Sequence, residues 1–391
     1  MLNTSLSPWP SFTQEEADAV SKVLLSNKVN YWTGTECREF EKEFAAFAGT
    51  QYAVALSNGT LALDVALKAM GIGAGDDVIV TSRTFLASAS CIVTAGANPV
   101  FADVDLNSQN ISAETIKAAL TPNTKAIIVV HLAGMPTEMD DIMDLAKEHD
   151  LWVIEDCAQA HGAKYKGKSV GSIGHVGAWS FCQDKIMTTG GEGGMVTTND
   201  KELWSKMWSY KDHGKSYDAV YHREHAPGFR WLHESFGTNW RMMEMQAVIG
   251  RIQLKRMPEW TARRQAHAAK LAESLGKFAS IRLIEVADYI EHAQYKFYAF
   301  VKPEHLKEGW TRDRIVSELN ARKVPCYQGS CSEVYLEKAF DNTPWRPKER
   351  LKNAVELGDT SLMFLVHPTL TDDEIAFCKE HIEAVLAQAT A

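Results

Sequence analysis

Short apolar runs alternate with stretches of helical periodicity along the first half of the chain. Residues 52–56, 77–80, 99–103, 126–130, 151–155 and 176–181 read as buried strands. Between them, Leu61, Leu63, Val65, Ala66, Leu67 and Met70 recur at helical spacing. Residues 112–120 form a helical pattern that Ser112 can cap, and 137–149 fill the next crossover. Strand and helix in turn predict a mainly parallel sheet, covered on both faces.

The alternation stops near residue 201. Residues 210–236 are polar, aromatic and rich in histidine, the signature of a long functional loop. Residues 243–275 return to helical spacing through Ala247, Ile249, Ile252 and Leu254, with Pro258 expected to interrupt or kink the pattern. A strand at 295–301 and helices at 312–321 and 372–387 suit a smaller α/β domain. A chain of 391 residues exceeds what one core usually holds, so we expect a large domain over 1–245 and a small one over 246–391.

Composition narrows the function. There are 41 basic and 50 acidic side chains, a formal charge of −9, and no long Lys/Arg run, which disfavours nucleic-acid binding. The seven cysteines are scattered and form no C-x-x-C pair, which argues against a disulfide scaffold or zinc ribbon. Residues 1–10 have no basic start followed by an apolar run, and no stretch approaches the ~18–20 apolar residues of a bilayer span. A soluble cytoplasmic protein is expected.

Three positions carry candidate chemistry. Lys185 follows the strand at 176–181 and precedes a Thr-Thr-Gly-Gly-Glu-Gly-Gly tract. A lysine buried there would have a lowered pKa and a nucleophilic amine. Asp156 ends the strand at 151–155, where ligands of open α/β sheets bind. Ser57-Asn58-Gly59-Thr60 joins a strand to a helix start, where free N–H groups and the helix dipole favour a phosphate. Two have an ordinary alternative: a solvated loop lysine for Lys185 and a capping turn for Ser57-Asn58-Gly59-Thr60. Together they fit one cofactor, pyridoxal phosphate, which needs a lysine for its aldehyde, a carboxylate for its ring nitrogen and a cradle for its phosphate.

Other motifs are weaker. Gly71-Ile72-Gly73-Ala74-Gly75-Asp76 follows a helix and precedes a strand, the reverse of a dinucleotide loop, and reads as a helix stop. Gly190 to Gly194 lacks the Lys-Ser/Thr of a nucleoside-triphosphate loop. His213, His222, His225 and His233 form no H-E-x-x-H pattern, so no metal is expected. His131 and His161, at or after strands, read as hydrogen-bonded core histidines. Tyr210, Trp231, Trp240 and Tyr327 are by default packing residues.

In this order the elements resemble fold-type I pyridoxal-phosphate enzymes, and within them the sugar aminotransferases of the DegT/DnrJ/EryC1/StrS family. The resemblance rests on Ser57-Asn58-Gly59-Thr60-Leu61, Glu155-Asp156-Cys157-Ala158-Gln159-Ala160-His161-Gly162, Ser180-Phe181-Cys182-Gln183-Asp184-Lys185, Gly237-Thr238-Asn239-Trp240-Arg241 and His367-Pro368-Thr369, among other segments across nearly the whole chain. It implies a large domain, residues 1–245, that binds the cofactor on a mainly parallel seven-stranded sheet. Lys185 would bond its aldehyde, Asp156 would face the ring nitrogen, Gln159 would lie against the ring or its 3-oxygen, and Phe85 would stack on it. Gly59, Thr60 and Ser180 would hold the phosphate, and Asn239 would reach it from the second subunit of a homodimer.

The implied reaction moves an amino group from an amino acid, glutamate by resemblance, to the keto carbon of a nucleotide-linked sugar. Lysine at position 185 favours amino transfer, since dehydratases of this family carry histidine there. Trp32-Thr33-Gly34 resembles a turn of members that aminate C4 of 4-keto-6-deoxy sugars, and a UDP-linked 2-acetamido sugar leading to a bacillosamine-type product for surface polysaccharide is the first expectation. Alternatives are C3 amination, a dehydratase or lyase, and a non-catalytic regulatory protein. Trp32, Thr33, His213, Arg230, Arg241 and Tyr327 are candidate substrate contacts. Arg230 and Arg241 suit a diphosphate or an interface ion pair. Around Tyr327 the sequence departs from the family's Tyr followed by Pro-Leu-His, which detaches the small domain's contacts from the resemblance.

Overall fold

The computed structural model describes residues 6–391, so the reading of residues 1–5 within the N-terminal segment lies outside the described residues. Apolar runs of five to seven residues form the strands β1 (Tyr52–Leu56), β2 (Asp77–Thr81), β3 (Asn98–Ala102), β4 (Thr124–Val130) and β5 (Trp152–Asp156). A small hairpin, β6 (Lys164–Tyr165) and β7 (Lys168–Ser169), precedes β8 (Val176–Ser180) and β9 (Gly194–Thr198). The seven long strands make one sheet in the order β1-β9-β8-β5-β4-β2-β3. It is parallel from β8 to β3, and β9 runs against both of its neighbours. Both faces are covered, which is why the strands read as continuous apolar runs instead of alternating ones.

Helices α1 (Gln14–Leu25) and α2 (Glu36–Ala48) precede the sheet. The crossovers α3 (Gly59–Ala69), α4 (Ala87–Thr94), α5 (Ala113–Ala119) and α6 (Met139–Glu148) follow β1, β2, β3 and β4. Asn58 caps α3 by accepting from the Leu61 N–H at 3.0 Å, and Ser112 caps α5 in the same way through Thr115. α3 stops before Gly71, whose φ of +76° is open to glycine at no steric cost.

After α7 (Lys201–Tyr210), the stretch 210–236 departs from the loop expected of it, because Ser216 caps a short helix, α8 (Tyr217–Tyr221). The 32-residue α9 (Glu244–Leu275) passes through Pro258 without a break, although the proline has no N–H to donate to the preceding turn. Its buried positions Ala247, Gly250, Leu254 and Met257 lie on one face. α9 packs on α1 and α2 and also on the C-terminal helix, so its residues serve both cores.

The C-terminal sheet contains β10 (Ile281–Leu283), β12 (Phe297–Val301), β13 (Cys326–Tyr327) and β14 (Ser361–Phe364), in the order β10-β12-β14-β13, while β11 (Ile290–Glu291) joins the small hairpin. α10 (Arg312–Ala321), α11 (Lys352–Thr360) and α12 (Asp372–Ala389) accompany it. Among the described residues, no helix is long and apolar enough to cross a membrane.

Candidate active site

The carboxyl ends of the parallel strands surround a cavity of about 600 Å³. The chain leaves β1 through Asn58, Gly59 and Thr60, leaves β2 toward Thr84 and Phe85, ends β5 at Asp156 and ends β8 at Ser180, and all of these residues line it. Gln159 and Lys185 complete the wall. Seven of the positions expected to meet the cofactor, Gly59, Thr60, Phe85, Asp156, Gln159, Ser180 and Lys185, therefore share one space.

One end of the cavity is built for an anion. Gly59 and Thr60 open α3, where N–H groups have no intrahelical acceptor. A Cβ on Gly59 would lie 2.5 Å from the Ser180 Cβ and 2.9 Å from its Oγ, so only glycine lets the helix start come this close to the Ser180 hydroxyl. Backbone donors, a hydroxyl and the positive end of a helix dipole fit a phosphate dianion.

The cavity wall also presents a carboxylate. Asp156 is 6 % exposed and accepts from the Ser88 hydroxyl at 2.8 Å and from the Ala158 N–H at 3.1 Å. Thr84 Oγ1 lies 2.9 Å from Ser88 Oγ and orients it. A carboxylate has about four acceptor sites, so two donors leave capacity for a protonated ring nitrogen. Gln159 accepts from the Ala133 N–H at 2.8 Å, which fixes its amide. Phe85, 70 % exposed, leaves an aromatic face uncovered at the cavity wall. These residues fit pyridoxal phosphate: an anion cradle, an undersaturated acidic group, an open ring face and an amine.

Lys185 differs from expectation in one respect. It is half-buried, because it stands in a turn beyond the end of β8 and not within the strand. Its Nζ lies 5.6 Å from the centre of the Tyr295 ring, and the Tyr295 hydroxyl donates to Asp184 at 2.6 Å. Burial pushes the Asp184 carboxyl up, but the Lys185 charge and the Tyr295 hydroxyl outweigh it and hold the group below its ordinary value. Burial pulls the Lys296 ammonium down to about 8, with repulsion from Arg264 adding to the effect. Ser88, Thr84, Asp184 and Tyr295 were not singled out from the sequence. Ser88 stands three residues after Phe85, which was the available signal. Tyr295 has none, since it stands just before β12, which starts at Phe297 and not at 295 as expected.

The two strand-end histidines separate. His131 is hydrogen-bonded as expected: Nδ1 accepts from the Thr137 N–H at 3.1 Å, so Nε2 carries the proton to Glu155 at 2.9 Å. His161 is buried between Trp179 and Phe181, and neither ring nitrogen finds a hydrogen-bond partner among the described residues. Its apolar enclosure explains the difference. Burial, reinforced by the Lys185 and Arg264 charges, pulls its pKa down to about 3, so it stays neutral. His131, Glu155 and Cys157 bring three ligand-type atoms within 4.8 Å, but both His131 nitrogens and both Glu155 oxygens are already engaged. In the loop, His225 bonds to the Ala219 carbonyl, and His213, His222 and His233 are exposed.

The remaining candidates do not line this cavity. Arg241 pairs with Asp212 at 2.8 Å, Lys215 pairs with the same carboxylate at 3.1 Å, and the Lys215 ammonium sits 4.1 Å from the Trp32 ring. Asn239 is exposed and bridges the Asp212 backbone, while Thr33 is bonded to Asn30. Trp32, Asn239 and Arg241 thus gather around Asp212, next to the exposed His213. Arg230 is exposed on the long loop, and Tyr327 is half-buried in β13.

The model of the DegT/DnrJ/EryC1/StrS aminotransferase family matches residues 10–383. The chain is 42% identical over 377 residues to the GDP-perosamine synthase of Escherichia coli O157:H7, covering 95% of this chain and 96% of that one. It is 41% identical over 363 residues to a UDP-N-acetyl-3-dehydro-alpha-D-glucosamine 3-aminotransferase of Acidithiobacillus ferrooxidans, covering 91% and 90%. The X-ray structure of an aminotransferase from Psychrobacter cryohalolentis superimposes with a TM-score of 0.96 at 65% identity, over 98% of this chain and 99% of that one.

Proposed function

The chain belongs to the DegT/DnrJ/EryC1/StrS aminotransferase family and uses pyridoxal phosphate, and from that premise we propose that it moves an amino group from glutamate to the keto carbon of a nucleotide-linked sugar. The observation that carries this reading is the convergence of Lys185, Asp156, Ser180 and the Gly59-Thr60 helix start on one cavity. The sugar is a UDP-linked 2-acetamido-4-keto-6-deoxyhexose aminated at C4, giving a bacillosamine-type product for surface polysaccharide. Amination at C3 is the second reading, favoured by the likeness to the Acidithiobacillus 3-aminotransferase.

When bound, pyridoxal phosphate supplies an aldehyde that bonds amines and a ring that accepts the electron pair left when a neighbouring C–H breaks. Gly59, Thr60 and Ser180 would anchor the phosphate, and Asp156 would keep the proton on the ring nitrogen. Phe85 covers the ring face and limits water there. The Lys185 amine is the group that would hold the aldehyde. With its amine freed, Lys185 would move the proton from the donor's α-carbon to the coenzyme, and in the second half of the cycle it would move a proton from the coenzyme to the sugar carbon that receives nitrogen. Asn239, outside its own subunit's cavity, is the residue through which a second copy would reach the phosphate.

The test is to load the protein with pyridoxal phosphate, add glutamate, and follow conversion of the coenzyme's visible band. UDP-, dTDP- and GDP-linked keto sugars are then screened, with the aminated carbon located by NMR. Parallel double-reciprocal plots are expected. Lys185→Ala should lose the lysine-bound band and lower turnover on the order of 10⁴-fold or more. Full turnover in Lys185→Arg would end the reading.

A further inference from the structure

We propose that Trp9 is a positioning residue for Lys185, and that the N-terminal segment is a strap fastening the C-terminal sheet's domain to the lysine turn. The Trp9 indole N–H donates to the Lys185 carbonyl at 2.8 Å. Its ring is wedged among residues from elsewhere. Trp260 of α9 meets it edge-on at 5.0 Å, His367 stacks at 6.1 Å, and the Arg264 guanidinium lies 5.0 Å over it. On one side of Trp9, the Pro8 carbonyl accepts from the Thr369 hydroxyl at 2.7 Å, and Ser7 donates twice to Glu374 at the start of α12. On the other, the Thr13 and Glu16 side chains reach Arg256 of α9.

The need for such a strap follows from where Lys185 stands. Residues 183–187 lie between β8 and β9, outside the ladders, and the Lys185 N–H is bonded only within its own turn, to Cys182 at 3.1 Å. Two contacts from beyond the sheet clamp this turn: Tyr295 holds the Asp184 side chain, and Trp9 holds the Lys185 carbonyl. The amine must leave the coenzyme, move protons and return. A backbone fixed on both sides of its α-carbon makes that return repeatable.

The inference rests on Lys185 carrying the coenzyme, and its test separates the two. Trp9→Phe keeps a ring against Trp260 and His367 but removes the donor, and Trp9→Ala removes both. In full-length protein without coenzyme, amide exchange in 182–188 should rise roughly threefold to tenfold in Trp9→Phe, the range for one lost neutral hydrogen bond. Exchange elsewhere should be unchanged. With coenzyme, the pH midpoint of the visible band should move, and kcat should fall by a similar factor with KM for the keto sugar unaltered. Wild-type exchange at 182–188 together with an unmoved midpoint in Trp9→Phe overturns the proposal. If Trp9→Ala does not fold, Trp9→Phe decides. A band that survives Lys185→Ala would instead sink the role of Lys185, leaving the exchange result to report on the strap alone.

Discussion

Glu155 and Asp156 are consecutive carboxylates at the end of β5, and alternation along a strand sends them to opposite faces of the sheet. Glu155 is fully buried and accepts from His131 Nε2 at 2.9 Å and from the N–H groups of Gly171, Ile173 and Gly174 at 2.8, 2.8 and 2.6 Å. Its acceptor sites are filled. Burial alone would raise its pKa, but the His131 contact and these donors together hold it below the ordinary value. Asp156 has two donors and opens on the cavity. A saturated carboxylate closes a loop onto the sheet. An undersaturated one is left for a ligand.

That contrast predicts opposite responses. Asp156→Asn should lower turnover about 10²- to 10⁴-fold, the span for losing a positioned proton-holding group, while stability changes by less than about 1 kcal/mol. Urea denaturation beside steady-state rates checks both, and a large stability loss would erase the distinction. Glu155→Gln should do the reverse. Its amide points donors at donors inside the fold, so a loss of about 3 kcal/mol is expected in urea, with the coenzyme band kept.

Acid sharpens the same comparison. Because the folded value of Glu155 lies below 4.5, its ordinary value, its contribution is complete above about that pH. It is lost as pH falls through the depressed folded value. Wild-type and Glu155→Gln stabilities should differ by a constant amount above pH 4.5 and converge below it, and a gap persisting into strong acid would contradict the assignment.

The strands were legible because a sheet covered on both faces demands unbroken apolar runs, and the cavity residues were legible because they stand at the ends of those runs. Contacts between distant segments were not. Nothing near Asp156 in sequence points to Ser88, nothing near Asp184 to Tyr295, and nothing near Lys185 to Trp9. The five residues of α8 were hidden because one turn and a half of helix is too short for a periodic signal. Asn239 was placed by resemblance and Arg241 by the bidentate fit of a guanidinium to phosphate, and the fold sets both beside Asp212 and away from their own cavity.

Two lysines show where the reasoning from burial fails. Lys185 was singled out as a lysine expected to be buried, yet it is half-buried, and among the described residues the fully buried lysine is Lys211. The Lys211 ammonium lies 3.4 Å from the centre of the Tyr31 ring and 5.2 Å from that of Trp208, with no hydrogen-bond partner among the described residues. Burial lowers its pKa against the opposing pull of Glu41 and Asp212. It does not line the cavity, so the mark of chemistry is an amine that can meet a ligand, not an amine without water. Lys211→Met should therefore leave the coenzyme band intact and turnover within about threefold. Its stability should change by no more than about 1 kcal/mol, since a desolvated cation–π contact worth about 2 kcal/mol is lost while the burial of a charge is relieved. The sign of the pH response is a finer check. With a folded value below the ordinary 10.5, Lys211 binds fewer protons in the folded chain than in the unfolded one over that interval. Wild-type stability should gain from this group as pH rises toward 10.5, and Lys211→Met should lack that gain. A tenfold loss of turnover with the band unchanged would instead make Lys211 part of the reaction.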